Sequence, residues 1–553
     1  MAKYAWLNSR KKTDPELPVE SPIWLGNRSN GEYFHQQTAH EARMRVEILR
    51  RADEEARRRG LDRRQFLWST MGMAVSLSVV NEFGCGHSGA GPGDAAGAGP
   101  YNVDASGDAD ANAILTGKEF IFDVQTHCFD NGEWRTRNIV YPTFLNLIAR
   151  CSDETDKLNC LNQQHYAELM FIDSDTTMTV ITAWPAAQCF PERDLLGNPA
   201  FACGLPLSNE AMRSLRDWIN TKAMSDRCIN QFQVMPNDRL EHQIQGMYAA
   251  VSDPSWRCGS WKAYPAWTSD TYPSPEGHAQ GYYLSDPIGR AFIEAGLKLG
   301  VPNFAVHKGL PIPGFDVKHN EPTDVGPVAK DYPNANFVIY HSAINAGTGG
   351  TALSAFMPTP TENVPYSAMD PSPKGVNMLI RSLLDSGIIK DPDVTGKPNT
   401  APHNVYAEMG SAWSQVMTNP TNAQHYIGKL LKYLGEDNIV WGTDCILSGS
   451  PQSQIMAFRA FSITPQFQQM YGYPELTETI KRKIFGLNAA KLYHVDPSAA
   501  RCRVEKNTFA MMKRELDEGV GPGRWGAKPP LGPRTLREFV AHAREHLAKG
   551  LPA

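Results

Sequence analysis

Four stretches of this chain end an apolar run in a side chain that can hold a metal ion or move a proton. Residues 121–127 read Ile-Phe-Asp-Val-Gln-Thr-His and close with Gln125 and His127 two positions apart. Residues 303–307 end in His307, residues 337–341 in His341, and residues 439–444 in Asp444. Alternate residues of a strand point to the same side, so Gln125 and His127 can face one ion. Imidazole titrates near neutral pH and ligates borderline metals, while a carboxylate brings charge and can act as a base. Taken singly, a histidine in such a place is more often a satisfied structural residue than a ligand. Recurrence of the pattern turns single residues into a candidate constellation.

Side chains this distant in sequence meet only if a fold gathers them. Further strand-like runs lie at 178–182, 229–234 and 405–408, with a weaker one at 258–262. Helix-like segments precede several strands, for example 286–299 before the His307 strand and 422–434 before the Asp444 strand. Strands alternating with helices argue for βαβ units and a parallel sheet. Eight such strands with polar ends argue for an α/β fold of the (β/α)8 TIM barrel type, whose chemistry sits at the C-terminal strand ends. The expected barrel spans residues 115–500.

In these motifs the chain resembles the metal-dependent amidohydrolase superfamily, in the amidohydrolase-related branch that holds the aminocarboxymuconate-semialdehyde decarboxylase-like enzymes. The pieces that carry the resemblance are Asp-Val-Gln-Thr-His at 123–127 and His-Lys-Gly-Leu-Pro at 307–311. With them go His341-Ser342, Gly-Thr-Asp at 442–444 and Gly-Leu-Asn-Ala-Ala at 486–490. The resemblance implies a metal held by His127, His307 and Asp444, with Asp444 also taking the proton from metal-bound water. It implies that His341 polarises the substrate or shuttles a proton; a supporting or core histidine is the alternative. The family's first strand usually carries His-x-His, and here Gln125 stands in the first place. A Gln carbonyl oxygen is a neutral, weaker ligand than imidazole, which favours one ion over two. Zinc is the first choice for that divalent ion and manganese the second. Lys262 ends the fourth strand, where two-metal relatives carry a carboxylated lysine; with one ion it reads as structural or substrate-contacting.

Three functions follow from the resemblance. One is hydrolysis, with metal-bound hydroxide attacking an amide, ester or lactone carbonyl. Another is non-oxidative decarboxylation of an aromatic or unsaturated acid, for which Lys262 and Lys308 are the candidate cations. The last is a catalytically degenerate barrel that binds or scaffolds, motivated by Gln125. Glu408, at the end of the seventh strand, could face the pocket, though a lone carboxylate is more often solvated or salt-bridged than catalytic.

The intervals 128–173, 184–228 and 343–403 far exceed ordinary βα connections. The Gly-rich piece at 347–351 lacks the lysine and helix of a phosphate loop, which discounts nucleotide binding. Trp256, Trp261, Tyr264, Trp267, Tyr272, Tyr282 and Tyr283 could wall a pocket for a small aromatic substrate, and ordinary loop packing explains them equally.

The front of the chain is different in kind. Residues 1–60 form a polar leader, with 37–60 expected to be helical and solvated. Arg63-Arg64, an apolar run at 66–80 and a small-residue tail to Pro100 resemble a twin-arginine export signal. Met44 offers an alternative start, and the small residues at 95–98 a cleavage place. That reading makes 61–100 a signal and linker, the export machinery a partner, and the periplasm the destination. The 553 residues carry a net charge of −5 with 20% charged residues, so no basic excess speaks for nucleic acid. Ten cysteines are ordinary for this length, and the near pairs Cys151/Cys160 and Cys189/Cys203 could close loops after export. Residues 501–553, with a helix expected at 533–549, read as an extension that packs on the barrel or on a second copy in a homo-oligomer.

Overall fold

The computed structural model describes residues 20–26, 37–84, 99–103, 107–128, 162–182, 209–268, 280–310, 315–345, 362–446 and 449–517. Both near cysteine pairs, Tyr272, the Gly-rich piece at 347–351, the small residues at 95–98 and the helix expected at 533–549 lie outside them.

Among the described residues, nine strand segments occupy eight positions around a parallel barrel. They are β1 Phe122–Thr126, β2 Met178–Ile181, β3 Cys228–Asn230, β4 Phe232–Gln233, β5 Trp261–Ala263, β6 Asn303–His307, β7 Asn336–Tyr340, β8 Val405–Glu408 and β9 Ile439–Val440. Neighbours pair in parallel from β1 to β3 and from β4 to β9. β3 and β4 are successive halves of one position, the first pairing with β2 and the second with β5. The ring closes where Val124 N–H donates to the Trp441 carbonyl at 3.0 Å, Asp444 N–H to the Gln125 carbonyl at 2.9 Å, and Thr126 bridges Cys445 in parallel. The chain folds as an α/β, (β/α)8 TIM barrel.

Parallel strands buried on both faces must be apolar on both, which is why they read as short continuous runs. One set of side chains fills the barrel: Phe122, Val124, Met178, Val180, Ala305, Val338, Tyr340 and Val440 form one buried cluster. The alternating set, including Phe304, Val306, Phe337 and Ile339, packs outward in the large core shared with the helices. Helix Pro287–Lys298 shows the fit: proline occupies its first turn, where no N–H is needed, and a Cβ on Gly296 would come within 2.6 Å of Phe304 Cζ.

The N-terminal stretch is built into this body. Helix Ala39–Arg59 begins with a capping box of Thr38 and Glu41 and ends at Gly60 in the left-handed region. It is not solvated all round, as expected, because Met44, Ile48, Ala52 and Ala56 recur every four residues and are buried. Arg63 and Arg64 open the short helix Arg63–Leu67, capped by Asp62 and Gln65. The apolar run becomes helix Thr70–Gly84, buried from Met71 to Leu77 and again at Val79 and Val80. It packs on helices Pro420–Lys429 and Gln452–Ala460 of the barrel wall. Among the described residues, no helix is long and apolar enough to cross a membrane.

At the other end, helix Thr508–Asp517 docks on the barrel, with Phe509 stacked on Phe171 at 5.7 Å and Lys513 paired with Asp175 at 2.9 Å.

Candidate active site

Strand ends deliver the chemical groups: His127 follows β1, His307 ends β6, His341 follows β7 and Asp444 lies past β9. All are buried, as is Gln125. Closure of the ring brings the first and last ends together. Gln125 Nε2 donates to Asp444 Oδ1 at 2.9 Å, and His127 Nε2 stands 2.9 Å from the same oxygen. Elsewhere in the mouth, His341 Nε2 faces His307 Nδ1 at 3.2 Å.

The turns that aim these groups run through left-handed backbone: φ is +38° at Leu310, +60° at His341, +49° at Ser342, +57° at Ala343, +52° at Ser411 and +60° at Asp444. Such residues cost on the order of 1 kcal/mol or more each and persist where surroundings over-determine them. Glu408 supplies part of that restraint. It is fully buried, contrary to the solvated carboxylate expected, and accepts from His341 N–H at 2.9 Å and Gly410 N–H at 2.5 Å. Burial pushes its carboxyl well above the usual range. A Cβ on Gly442 would overlap Glu408 Oε1, so a larger residue there would displace that carboxylate. Asp123 ties β1 to the segment after β9 by accepting from Thr443 N–H at 3.1 Å and from its hydroxyl; burial raises its carboxyl to about 7.

Backbone carbonyls only accept, and three of them decide where the imidazole protons sit. The Thr182 carbonyl lies 3.0 Å from His127 Nδ1, the Leu310 carbonyl 3.0 Å from His307 Nε2, and the Gly410 carbonyl 2.8 Å from His341 Nδ1. Burial holds His307 well below the ordinary histidine value and His341 down at about 4, so both rings are neutral at pH 7. With the carbonyl-facing nitrogens carrying the hydrogens, His307 Nδ1 and His341 Nε2 point lone pairs at each other. His127 Nε2 meets the Asp444 carboxylate at 2.9 Å. Beside them Gln125 Oε1 is buried without a hydrogen-bond partner.

These donors fit a divalent cation. Imidazoles whose far N–H is spent on a backbone carbonyl are how proteins present metal-ligating histidines, and the carboxylate and amide oxygen suit zinc or manganese. The donors stand as two couples, His127 with Asp444 and His307 with His341. Among the described residues no three His, Cys, Asp or Glu side chains already lie at mutual ligand distance.

Two lysines were candidate cations, and the structure separates them. Lys308 Nζ is spent on Asp324 at 2.8 Å and on the carbonyls of His319 and Glu321 at 2.8 and 3.1 Å. Lys262, fully buried, lies inside the barrel with Nζ 3.2 Å from the Tyr340 ring centroid and 4.7 Å from that of Tyr264. Its charge is felt by both His307 and His341. Of the aromatic stretch, Tyr264 reaches the site, 5.4 Å from the His307 ring, with Phe315 at 5.4 Å from that ring too. Trp261 turns outward and donates to the Val301 carbonyl at 3.0 Å. Sequence reasoning missed Ser411, whose hydroxyl donates to Asp444 Oδ2 at 2.5 Å. The available signal was a Gly-Ser pair just past a strand end.

Residues 395–495 match the protein-family model described as Amidohydrolase, a stretch that carries Glu408, Ser411 and Asp444. No curated protein matches the chain. Among solved structures, it is similar to 5-carboxyvanillate decarboxylase LigW from Sphingomonas paucimobilis, at 12% identity and TM-score 0.38, covering 68% of this chain and 99% of that one. It is also similar to 2,6-dihydroxybenzoate decarboxylase from Rhizobium, at 13% identity and TM-score 0.35, covering 68% and 99%. An uncharacterised TIM-barrel protein from Bordetella bronchiseptica matches at 11% identity and TM-score 0.37, covering 69% and 99%.

Proposed function

We propose that the chain is a metal-dependent enzyme of the amidohydrolase superfamily that removes the carboxylate of a small aromatic or unsaturated acid as carbon dioxide. The observation that carries this reading is Lys262. From inside the barrel its charge bears on both His307 and His341, and it lies beside the rings of Tyr264 and Tyr340; a cation next to aromatic faces suits an aromatic carboxylate.

His127, Asp444 and Gln125, with the inward nitrogen of His307, would hold the ion. Bound there, it supplies a Lewis acid that grips anionic oxygen and activates water. The chain's own groups do the rest. Lys262 offsets the charge of the substrate carboxylate. Tyr264 and Phe315, both 5.4 Å from the His307 ring, offer faces and edges to a planar ring. Asp444 takes a proton from a water molecule and passes it to the carbon from which the carboxyl group departs, and the hydroxide left behind combines with the released carbon dioxide as bicarbonate or is neutralised by solvent. As that carbon–carbon bond breaks, its electron pair takes up the proton and carbon dioxide leaves. His341, neutral and fixed by the Gly410 carbonyl, holds its Nε2 toward the interior as the second station for that proton.

Hydrolysis of an amide, ester or lactone is the second reading, favoured by the Amidohydrolase match over the segment with Asp444; Asp444 would then take a proton from the attacking water. The test is a product assay. Purified protein is incubated with a panel of hydroxylated aromatic acids and, separately, of esters and lactones. Release of carbon dioxide supports the lyase, whereas acid production from esters or lactones alone replaces it with the hydrolase.

A further inference from the structure

Ser411 occupies the N-cap of helix Ala412–Val416, yet its side chain makes no capping hydrogen bond. Serine at that place ordinarily accepts from the helix N–H groups and stabilises the helix by about 1 kcal/mol. Here the hydroxyl turns the other way and donates to Asp444 Oδ2 at 2.5 Å. The backbone pays a second cost for this, with Ser411 at φ +52° and ψ −36°. Both sacrifices serve one contact, which divides the Asp444 carboxylate: Oδ2 belongs to Ser411, and Oδ1 meets Gln125 Nε2 and His127 Nε2 at 2.9 Å each.

We infer that Ser411 is a positioning residue that locks the Asp444 carboxylate with one oxygen turned toward His127 and Gln125. With a cation bound there, the lock would leave Oδ1 as the ligating atom and keep the carboxylate from swinging to chelate through both oxygens. The inference rests on the metal-dependent reading for its consequence, though the lock itself is a matter of orientation.

Two variants separate the hydroxyl from the backbone. Ser411→Ala removes the hydroxyl and keeps the strained backbone, whereas Ser411→Gly removes the hydroxyl and relieves the strain. The readouts are crystal structures of the metal-free proteins and zinc affinity by chelator competition, with melting temperature as the check on folding. Both variants are expected to turn the Asp444 carboxylate away from His127 and to weaken zinc binding by about tenfold or more. An unchanged carboxylate in both variants, with zinc affinity within about twofold of wild type, overturns the inference. So does a loss seen in Ser411→Ala but not in Ser411→Gly, which would trace the effect to strain. Wild-type protein that takes up no zinc would sink the metal-dependent reading, while the carboxylate orientation would still decide the role of Ser411.

Discussion

Gln125 Nε2 donates to Asp444 Oδ1 at 2.9 Å across the seam where the first and last strand ends of the barrel meet. The amide therefore does two jobs. Its N–H end holds the carboxylate, and its oxygen stays buried toward the same space without a hydrogen-bond partner. A residue that weakens the expected His-x-His pair thus still belongs to the site.

Replacing that amide tests its value. Gln125→His restores a second imidazole on the first strand and is expected to tighten zinc binding by about tenfold, because nitrogen is the better donor for zinc. Chelator competition at pH 7 checks this. Unchanged or weaker binding would place Gln125 outside the ion's reach.

The two buried lysines are expected to fail differently. Lys308→Met strands the Asp324 carboxylate, which is 5% exposed, and should cost about 3–5 kcal/mol of stability, seen in urea unfolding. Lys262→Met removes a buried charge from beside two tyrosine rings. It should weaken binding of an aromatic carboxylate probe by about tenfold or more. Equal probe affinity in the wild type and Lys262→Met would remove the anion-binding role.

His341 sets a pH dependence whose sign can be worked out. Its folded value is held at about 4 against an ordinary 6.5, mainly by burial. The folded protein keeps the ring neutral while the unfolded chain protonates it, so stability is present above pH 6.5 and is lost as pH falls toward 4. In metal-stripped protein this one group contributes up to about 3 kcal/mol across that window. His341→Asn should flatten the melting-temperature profile between those pH values, and an identical slope would contradict the buried neutral ring.

The helix Thr70–Gly84 gives a prediction about processing. Its burial against helices Pro420–Lys429 and Gln452–Ala460 makes residues 39–84 part of the folded body. Asn81 adds hydrogen bonds to both the N–H and carbonyl of Tyr101, at 3.1 and 2.8 Å. Deleting residues 1–84 is expected to lower the melting temperature by several degrees or more and to promote aggregation. The export proposal has its own check: Arg63→Lys with Arg64→Lys should hold the protein in the cytoplasm, while intact mass of exported wild type should still include residues 39–84. A mature chain beginning near residue 100 and fully stable would contradict the structural role.

The barrel was legible because its strands are buried on both faces, so runs such as Phe-Val-Ile-Tyr before His341 are apolar without alternation. Strand ends also announced His127, His307, His341 and Asp444. What stayed hidden depends on contacts between distant residues. Glu408 looked like a surface carboxylate because nothing local shows that it accepts from the N–H of His341, 67 positions away. Lys262 lies within β5 and Lys308 just past β6, and only contacts made in the fold tell them apart: Lys308 pairs with Asp324 at 2.8 Å, and Lys262 lies over the Tyr340 ring at 3.2 Å. Ser411 reads as a helix cap by its position, and its diversion to Asp444 appears only once the strands are closed into a ring.

The central claim is a divalent ion held where His127 and Asp444 meet. Elemental analysis of the purified protein, beside His127→Ala and Asp444→Ala, tests it most directly. About one zinc or manganese per chain in the wild type, and loss of it in both variants, is the expected result. A metal-free wild type, or metal content untouched by either substitution, would contradict the claim.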